Sequence, residues 1–362
     1  MPGSHSNFSP ATSCASNPFS RTAGALTSAA VFAVASMSLA PPAKSQQQPF
    51  AKSLTLVVGG AAGITYDTYA RLLGRHFAKH VPGGPSIIVQ NMPGAGSMKA
   101  AEYMYALAPK DGATFALLFP GSLVEPLMEP GKFRYEPVKF EYLGTLEQDT
   151  RACVTTAKSQ IKSFADARAK VGIMAGTQRG SSTVDYPNML NALAGTRFKV
   201  VSGYQSTNET ILAMERGEAD GMCSNLGTFL TQKPEWLDAP GGQVLVAMGL
   251  DPHPEMLKRN VPYVETFLTG ETKPVVDLII AQQGFGRPFV VPPGTLPAAL
   301  ATMRAAFEAT YQDKAFLEEA STMKLDINPL GGAKVADLVK RMYAAPRSVV
   351  DSMARALRPS GS

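Results

Sequence analysis

The chain has 362 residues, 45% of them hydrophobic and 17% charged, a balance that supports a folded core and excludes an extended disordered polymer. The formal charge of +5 is spread along the sequence, with no run of five Lys or Arg, so no nucleic-acid footprint is indicated. At this length two domains of ordinary size are expected.

The N-terminus differs from the rest. Residues 1–45 contain no Asp or Glu and only Arg21 and Lys44 as cations. An apolar run, GALTSAAVFAVASMSLA, follows Arg21 and gives way to the polar PPAKSQQQPF. Cation, apolar run and small-residue site in that order read as a secretory signal peptide over 1–45, cut after Ser45 with Ala43 at minus three. The run is short and rich in Ala and Ser, unlike a membrane anchor. Removing it takes away two cations and leaves a formal charge of +3.

From Leu54 short apolar runs alternate with helical patterns. LTLVV precedes a helix over 67–80, SIIVQN precedes a helix over 98–108, and TFALLF follows. A second series starts near Arg151: ACVTT, a helix in IKSFADARAK, the strand VGIMAG, a helix in VDYPNMLNALAG stopped by Gly195, then FKVVSGY. NETILAMERGEADGMCSN reads as a helix, a stop at Gly217 and a strand, and QVLVAMGL as another strand. Two amphipathic helices, over 296–311 and 333–343, close the chain. This alternation predicts an α/β chain with a largely parallel sheet.

Three loops share one design, a strand end followed by small residues and a helix: Gly59–Thr65 (GGAAGIT), Pro93–Ser97 (PGAGS) and Gly176–Thr183 (GTQRGSST). Free N–H groups at such helix starts favour an anion, and Gly or Ala lets it approach the backbone. None of the three matches a dinucleotide or phosphate-loop signature, so a carboxylate is the better fit than a nucleotide. Asp67 and Arg71, four apart, read either as an ion pair or as an acid at the mouth of a cleft. His76 and His80 have metal-ligand spacing, but Phe77 stands where a metalloprotease motif has Glu, and no third ligand is evident. No nucleophile elbow and no Ser-His-acid or Cys-His set is present, so neither catalysis nor a cofactor is expected. Cys153 and Cys223 could pair in an oxidising compartment, although two buried thiols are the plainer expectation. The lone Trp236 reads as packing or as a cleft rim.

Several stretches together resemble the periplasmic solute-binding receptors of tripartite tricarboxylate transporters, the Bug family. They are YDTYARLL, VQNMPGAGSMKAA, APKDGATFALL, GYQSTNETILAMERGEADGMCSN, VPYVETF and VPPGTLPAAL, in that order. The resemblance spans residues 54–343. It implies a two-domain, periplasmic-binding-protein-like (type II) α/β fold with a ligand cleft between the domains. Domain 1 is discontinuous, 46–150 and 272–362, and domain 2 is 151–271. Hinge strands are expected over 146–155 and 273–280. The resemblance further implies a periplasmic protein that holds a small organic carboxylate, without chemistry, and delivers it to membrane permease subunits. The alternatives are a receptor that senses the ligand for a signalling partner and an enzyme acting on a carboxylate, and a monomer is expected. Carried onto this chain, the ligand-binding residues are Gly59, Gly60, Ala61 and Asp67 from domain 1. From domain 2 they are Thr177, Gly180, Ser181, Ser182, Tyr204 and Asn225. The first loop lacks the family's Pro and is longer before Asp67, and Gln205 replaces the Lys of its Tyr-Lys-Gly turn. A different specificity from the dicarboxylate binders is therefore expected.

Overall fold

Strand β1 (Ser53–Val58) sends alternate and then consecutive side chains into the core, ending in Gly59. This computed structural model describes residues 52–177 and 181–357; the signal-peptide reading and its cleavage site lie outside the described residues. After β1 come α1 (Thr65–Phe77), β2 (Ser86–Asn91), α2 (Met98–Ala106), β3 (Thr114–Leu117), α3 (Pro120–Met128) and β4 (Glu141–Thr145). The chain then crosses over into β5 (Arg151–Thr156), α4 (Phe164–Ala169), β6 (Gly172–Gly176), α5 (Ser182–Ala194), β7 (Phe198–Ser202) and α6 (Thr207–Arg216). It continues through β8 (Gly221–Asn225), α7 (Leu226–Gln232), β9 (Gly242–Met248), α8 (Pro254–Lys258) and α9 (Lys273–Ala281). β10 (Pro288–Val291) returns it to the first sheet, followed by α10 (Pro297–Gln312), α11 (Lys314–Thr322), β11 (Leu330–Gly331), α12 (Gly332–Tyr343) and α13 (Arg347–Leu357).

Two sheets result, in the orders β11-β4-β10-β3-β1-β2 and β7-β6-β8-β5-β9. In the first, β1 lies between β2 and β3 and β10 enters beside β3; in the second, β6 lies between β7 and β8 and β5 enters beside β8. Both sheets are mixed, which corrects the expectation of a largely parallel sheet. β1 pairs in parallel with β2 and β3, and β6 with β7 and β8. The crossover strands β10 and β5 run antiparallel to their neighbours, because each enters from the opposite end. Leu54, Leu56, Leu72, Leu73, Phe115 and Phe289 are fully buried on one face of the first sheet. Each such side chain contributes about 1.5–3 kcal/mol. A second apolar cluster extends from Val57 and Leu118 to Met189, Val246 and Met353. Helix α13 packs on α3, α5 and α9.

Two further differences from the sequence reading stand out, and the packing alternative for Trp236 holds. Residues 273–280 form helix α9 rather than a hinge strand. Pro274 occupies its first turn, and Val275, Val276, Ile279 and Ile280 repeat at helical spacing on a buried face. Cys153 and Cys223 sit directly opposite on β5 and β8, Cα atoms 4.0 Å apart, and form a disulfide rather than two thiols. Trp236 is buried packing in the second sheet's core.

Candidate functional site

The C-terminal ends of β1, β3 and β6 all open onto helix starts, the place where α/β sheets present ligands to backbone donors. Between the two sheets lies a cavity of about 510 Å³, within the usual ~300–1,000 Å³ of small-molecule sites. The first turns of three helices line it: Met98 of α2, Pro120 and Gly121 of α3, and Ser182 of α5 with its preceding Ser181. Each helix start carries about half a positive charge.

The turn before α2 is built for close approach. Ala95, Gly96 and Ser97 take φ values of 46°, 60° and 80°, a left-handed run that strains the two non-glycine residues. Ala95 and Gly96 line the cavity, while Ser97 is fully buried and its Oγ accepts the Phe119 N–H at 3.1 Å. Gly59 makes this possible: a Cβ there would lie 1.6 Å from Ser97 Oγ.

The floor is ionic. Arg151, at the start of β5, pairs through Nη2 with Asp149 Oδ2 and donates from Nη1 to Ser182 Oγ at 3.1 Å. Its Nε is buried with no hydrogen-bond partner among the described residues. Asp149 also accepts from Asn225 Nδ2. Burial pushes the Asp149 carboxyl up to about 6, against the pull of Arg151. Behind it, Arg287 pairs with Glu147 at 3.1 Å and lies over the rings of Tyr66 and Tyr69, at 4.3 and 5.0 Å. Tyr66 Oη donates to Gly286 O at 3.2 Å, and its ring meets that of Phe119 at 4.1 Å. Gln283, oriented to satisfy both ends of its amide, donates to Met248 O at 2.7 Å and Asp149 O at 3.0 Å and accepts from Tyr186 Oη at 2.7 Å. Burial holds the Tyr186 hydroxyl up at about 12, so it remains a neutral donor.

Of the residues expected to bind ligand, Ser181 and Ser182 line the cavity. Gly180 lies outside the described residues. Gly59, Gly60, Ala61, Asp67, Thr177, Tyr204 and Asn225 are not among its lining residues; from the first loop's helix it is Tyr66 that reaches the wall. Asp67 is engaged locally, accepting from Gly63 N, Arg71 Nε and Asn91 Nδ2, each at 2.9 Å. Burial works to raise its pKa, yet these hydrogen bonds hold it below the ordinary carboxylate value. Asn91 also donates to Gly60 O at 3.0 Å, so the first and second loops are tied together. Thr177 Oγ1, Ser181 Oγ and Thr183 Oγ1 form a hydroxyl triangle of 2.8–3.0 Å sides that sets the entry to α5. Asn225 caps α7, its Oδ1 accepting from Gly227 N at 2.6 Å. Tyr204 packs against the second sheet's core. His76 and His80 both turn to α11, with Nε2 atoms 2.6 Å from Glu319 and 3.0 Å from Asp313. Asp149, Arg151, Tyr186 and Gln283 escaped the sequence reading, although charges at alternate positions 147, 149 and 151 were a visible signal.

No family model matches the chain. A curated relative from Cupriavidus necator, described as "UPF0065 protein in gbd 5′ region", is 28% identical over 306 residues, 82% of this chain and 86% of its own length. A TctC solute-binding protein from Polaromonas superimposes with a TM-score of 0.63 at 18% identity, covering 84% of this chain and 98% of the other. MatC from Rhodopseudomonas palustris, solved with bound malate, gives 0.57 at 20% identity, with 82% and 98% covered. The chain has the periplasmic-binding-protein-like fold of the TctC and Bug solute-binding proteins.

Proposed function

We propose that the chain is a solute-binding receptor that captures a small carboxylate between its two sheets and releases it unchanged to the permease subunits of a tripartite tricarboxylate transporter. The observation that carries this reading is the cavity itself, where three helix starts and the Arg151 guanidinium converge. Partial positive charges fixed in a partly desolvated space favour a carboxylate over a neutral solute. The TctC-type fold supports the same reading, and MatC's bound malate is a precedent on that fold.

Capture rather than turnover is the role of the TctC solute-binding protein that shares this fold, and we extend it to this chain. The division into 46–150 with 272–362 against 151–271 would let the halves close about the crossovers at 146–151 and 283–287, which run side by side. There Asp149 N donates to Gln283 O at 2.7 Å and Gly286 N to Glu147 O at 3.0 Å. Residues 1–45 would route the chain to the periplasm as a monomer. A thermal-shift series with mono-, di- and tricarboxylates tests the reading, together with native mass spectrometry of the secreted protein. At least one acid is expected to raise the melting temperature. Silence across the whole series, with no small anion co-purifying, would refute it.

A further inference from the structure

The cavity wall is divided. Its one side-chain cation among the described residues, Arg151, lies on the floor paired with Asp149, and Glu125 and Asp185 are further acids in the lining. Rings and aliphatic carbon from Tyr66, Phe119, Met98, Tyr186 and Leu357 form an apolar part of the wall, beside the polar Ser181, Ser182, Gln282 and Gln283. This apolar wall is fixed in advance. Tyr66 is clamped between Phe119 at 4.1 Å and Arg287 at 4.3 Å, and Leu357 is held at the end of α13.

Arg151 is incompletely used. Nη2 faces Asp149 and Nη1 faces Ser182, but buried Nε has no acceptor among the described residues. Nε is closed to the cavity as well as to water, so a ligand carboxylate meets Arg151 at its Nη groups, beside Ser182. Arg151 is also the only side-chain cation among the described lining residues, and Asp149 already takes part of its charge. A second or third carboxylate on the ligand would share the space with the acids Glu125 and Asp185 and find no further side-chain cation among the described residues.

We propose that the ligand is a monocarboxylate with an apolar body, its carboxylate on Arg151 beside Ser182 and its body against Tyr66, Phe119, Met98 and Leu357. This rests on the receptor reading above and narrows it from organic anions in general to one amphipathic class. Arg151 is then the residue that sets specificity, and the helix starts of α2 and α3 assist it.

The test is isothermal titration of the purified protein with phenylacetate, phenylacetamide, malate and citrate. Phenylacetate is expected to bind at least about 10-fold tighter than its uncharged amide, the scale of one charge-assisted hydrogen-bond set, and tighter than citrate. The acid-to-amide comparison needs no variant. In D149N/R151Q, which removes both charges together and leaves neither buried alone, that ratio should collapse to within about twofold. Circular dichroism confirms that the variant is folded. Equal affinity for acid and amide, or a double variant that keeps the discrimination, overturns the role of Arg151. Tighter binding of malate or citrate than of phenylacetate overturns the ligand class while leaving the receptor reading standing. No binding by any carboxylate overturns both.

Discussion

Replacing Asp67 with Ala distinguishes a structural acid from a ligand-reading one. The carboxylate is nearly buried and accepts three hydrogen bonds of 2.9 Å, from Gly63 N, Arg71 Nε and Asn91 Nδ2. Arg71 is 46% exposed and re-solvates when its partner goes, so its share is about 0.3–0.5 kcal/mol. The Gly63 and Asn91 donors are less free to turn to water, and hydrogen bonds to a charged group are worth roughly 1.5–3 kcal/mol each. Allowing for relaxation, Asp67→Ala should destabilise by about 3 kcal/mol, a fall in melting temperature of roughly 6–10 °C. Asp67→Asn, which keeps an acceptor, should lose about half as much. The sign of the pH effect follows from the lowered pKa. Below about pH 4 the unfolded state takes up its proton first, so the stabilisation present at neutral pH disappears as pH falls through the folded value. Urea unfolding at pH 7 and down through pH 3 should show the gap between wild type and Asp67→Ala closing on acidification. An unchanged melting temperature at pH 7 combined with lost carboxylate binding would sink the reasoning and place Asp67 at the ligand.

Removing the disulfide with Cys153→Ala and Cys223→Ala, 70 residues apart, should cost about 4 kcal/mol by loop closure in the unfolded chain; identical urea midpoints for the oxidised and reduced wild type would count against it. For Asp149, whose folded pKa is raised, stability is lost as pH rises through about 6. Asp149→Asn should therefore gain on wild type between pH 4 and 6 and then level off, and a difference independent of pH would refute the burial argument. Gly59→Ala forces a methyl into Ser97 Oγ and should destabilise by about 1–3 kcal/mol in denaturant melts; a neutral result would mean that Ser97 can leave its buried position.

The parallel strand–helix units were legible because each is locally written. LTLVV, SIIVQN and TFALLF became β1, β2 and β3, and the stops at Gly195 and Gly217 are left-handed C-caps at φ 71° and 79°. β4 and β10 were not legible, because their pairing partners lie more than 140 residues away, Thr145 opposite Pro288. α9 was mistaken for a strand because a short apolar run reads equally as either. α11 and α13 passed unnoticed although α13 covers the junction of three other helices. Of the three anion loops, PGAGS and the entry to α5 do reach the cavity, while GGAAGIT is folded back on Asp67 and Asn91. Sequence can place glycines at a helix start; it does not say which N–H groups a neighbouring side chain has already taken.

The same limit explains the floor of the cavity. In an extended chain, Glu147, Asp149 and Arg151 at alternate positions project to one side, and burying three charges there would be prohibitive unless they are matched. The match comes from Arg287, at the second crossover, which pairs with Glu147 while Arg151 pairs with Asp149. Two carboxylates and two guanidiniums then balance within the junction of the sheets. Such buried pairs are weak evidence for stability, since apolar residues of equal volume often do as well. Their effect lies in alignment: only one register of the two crossovers pairs all four charges, and that register sets Arg151 beneath Ser182 and Tyr66 beside Phe119. The crossover that joins the two sheets is in this way also the element that equips the space between them, so a charge lost at Arg287, outside the cavity lining, should disturb ligand binding through the position of Tyr66 and Glu147.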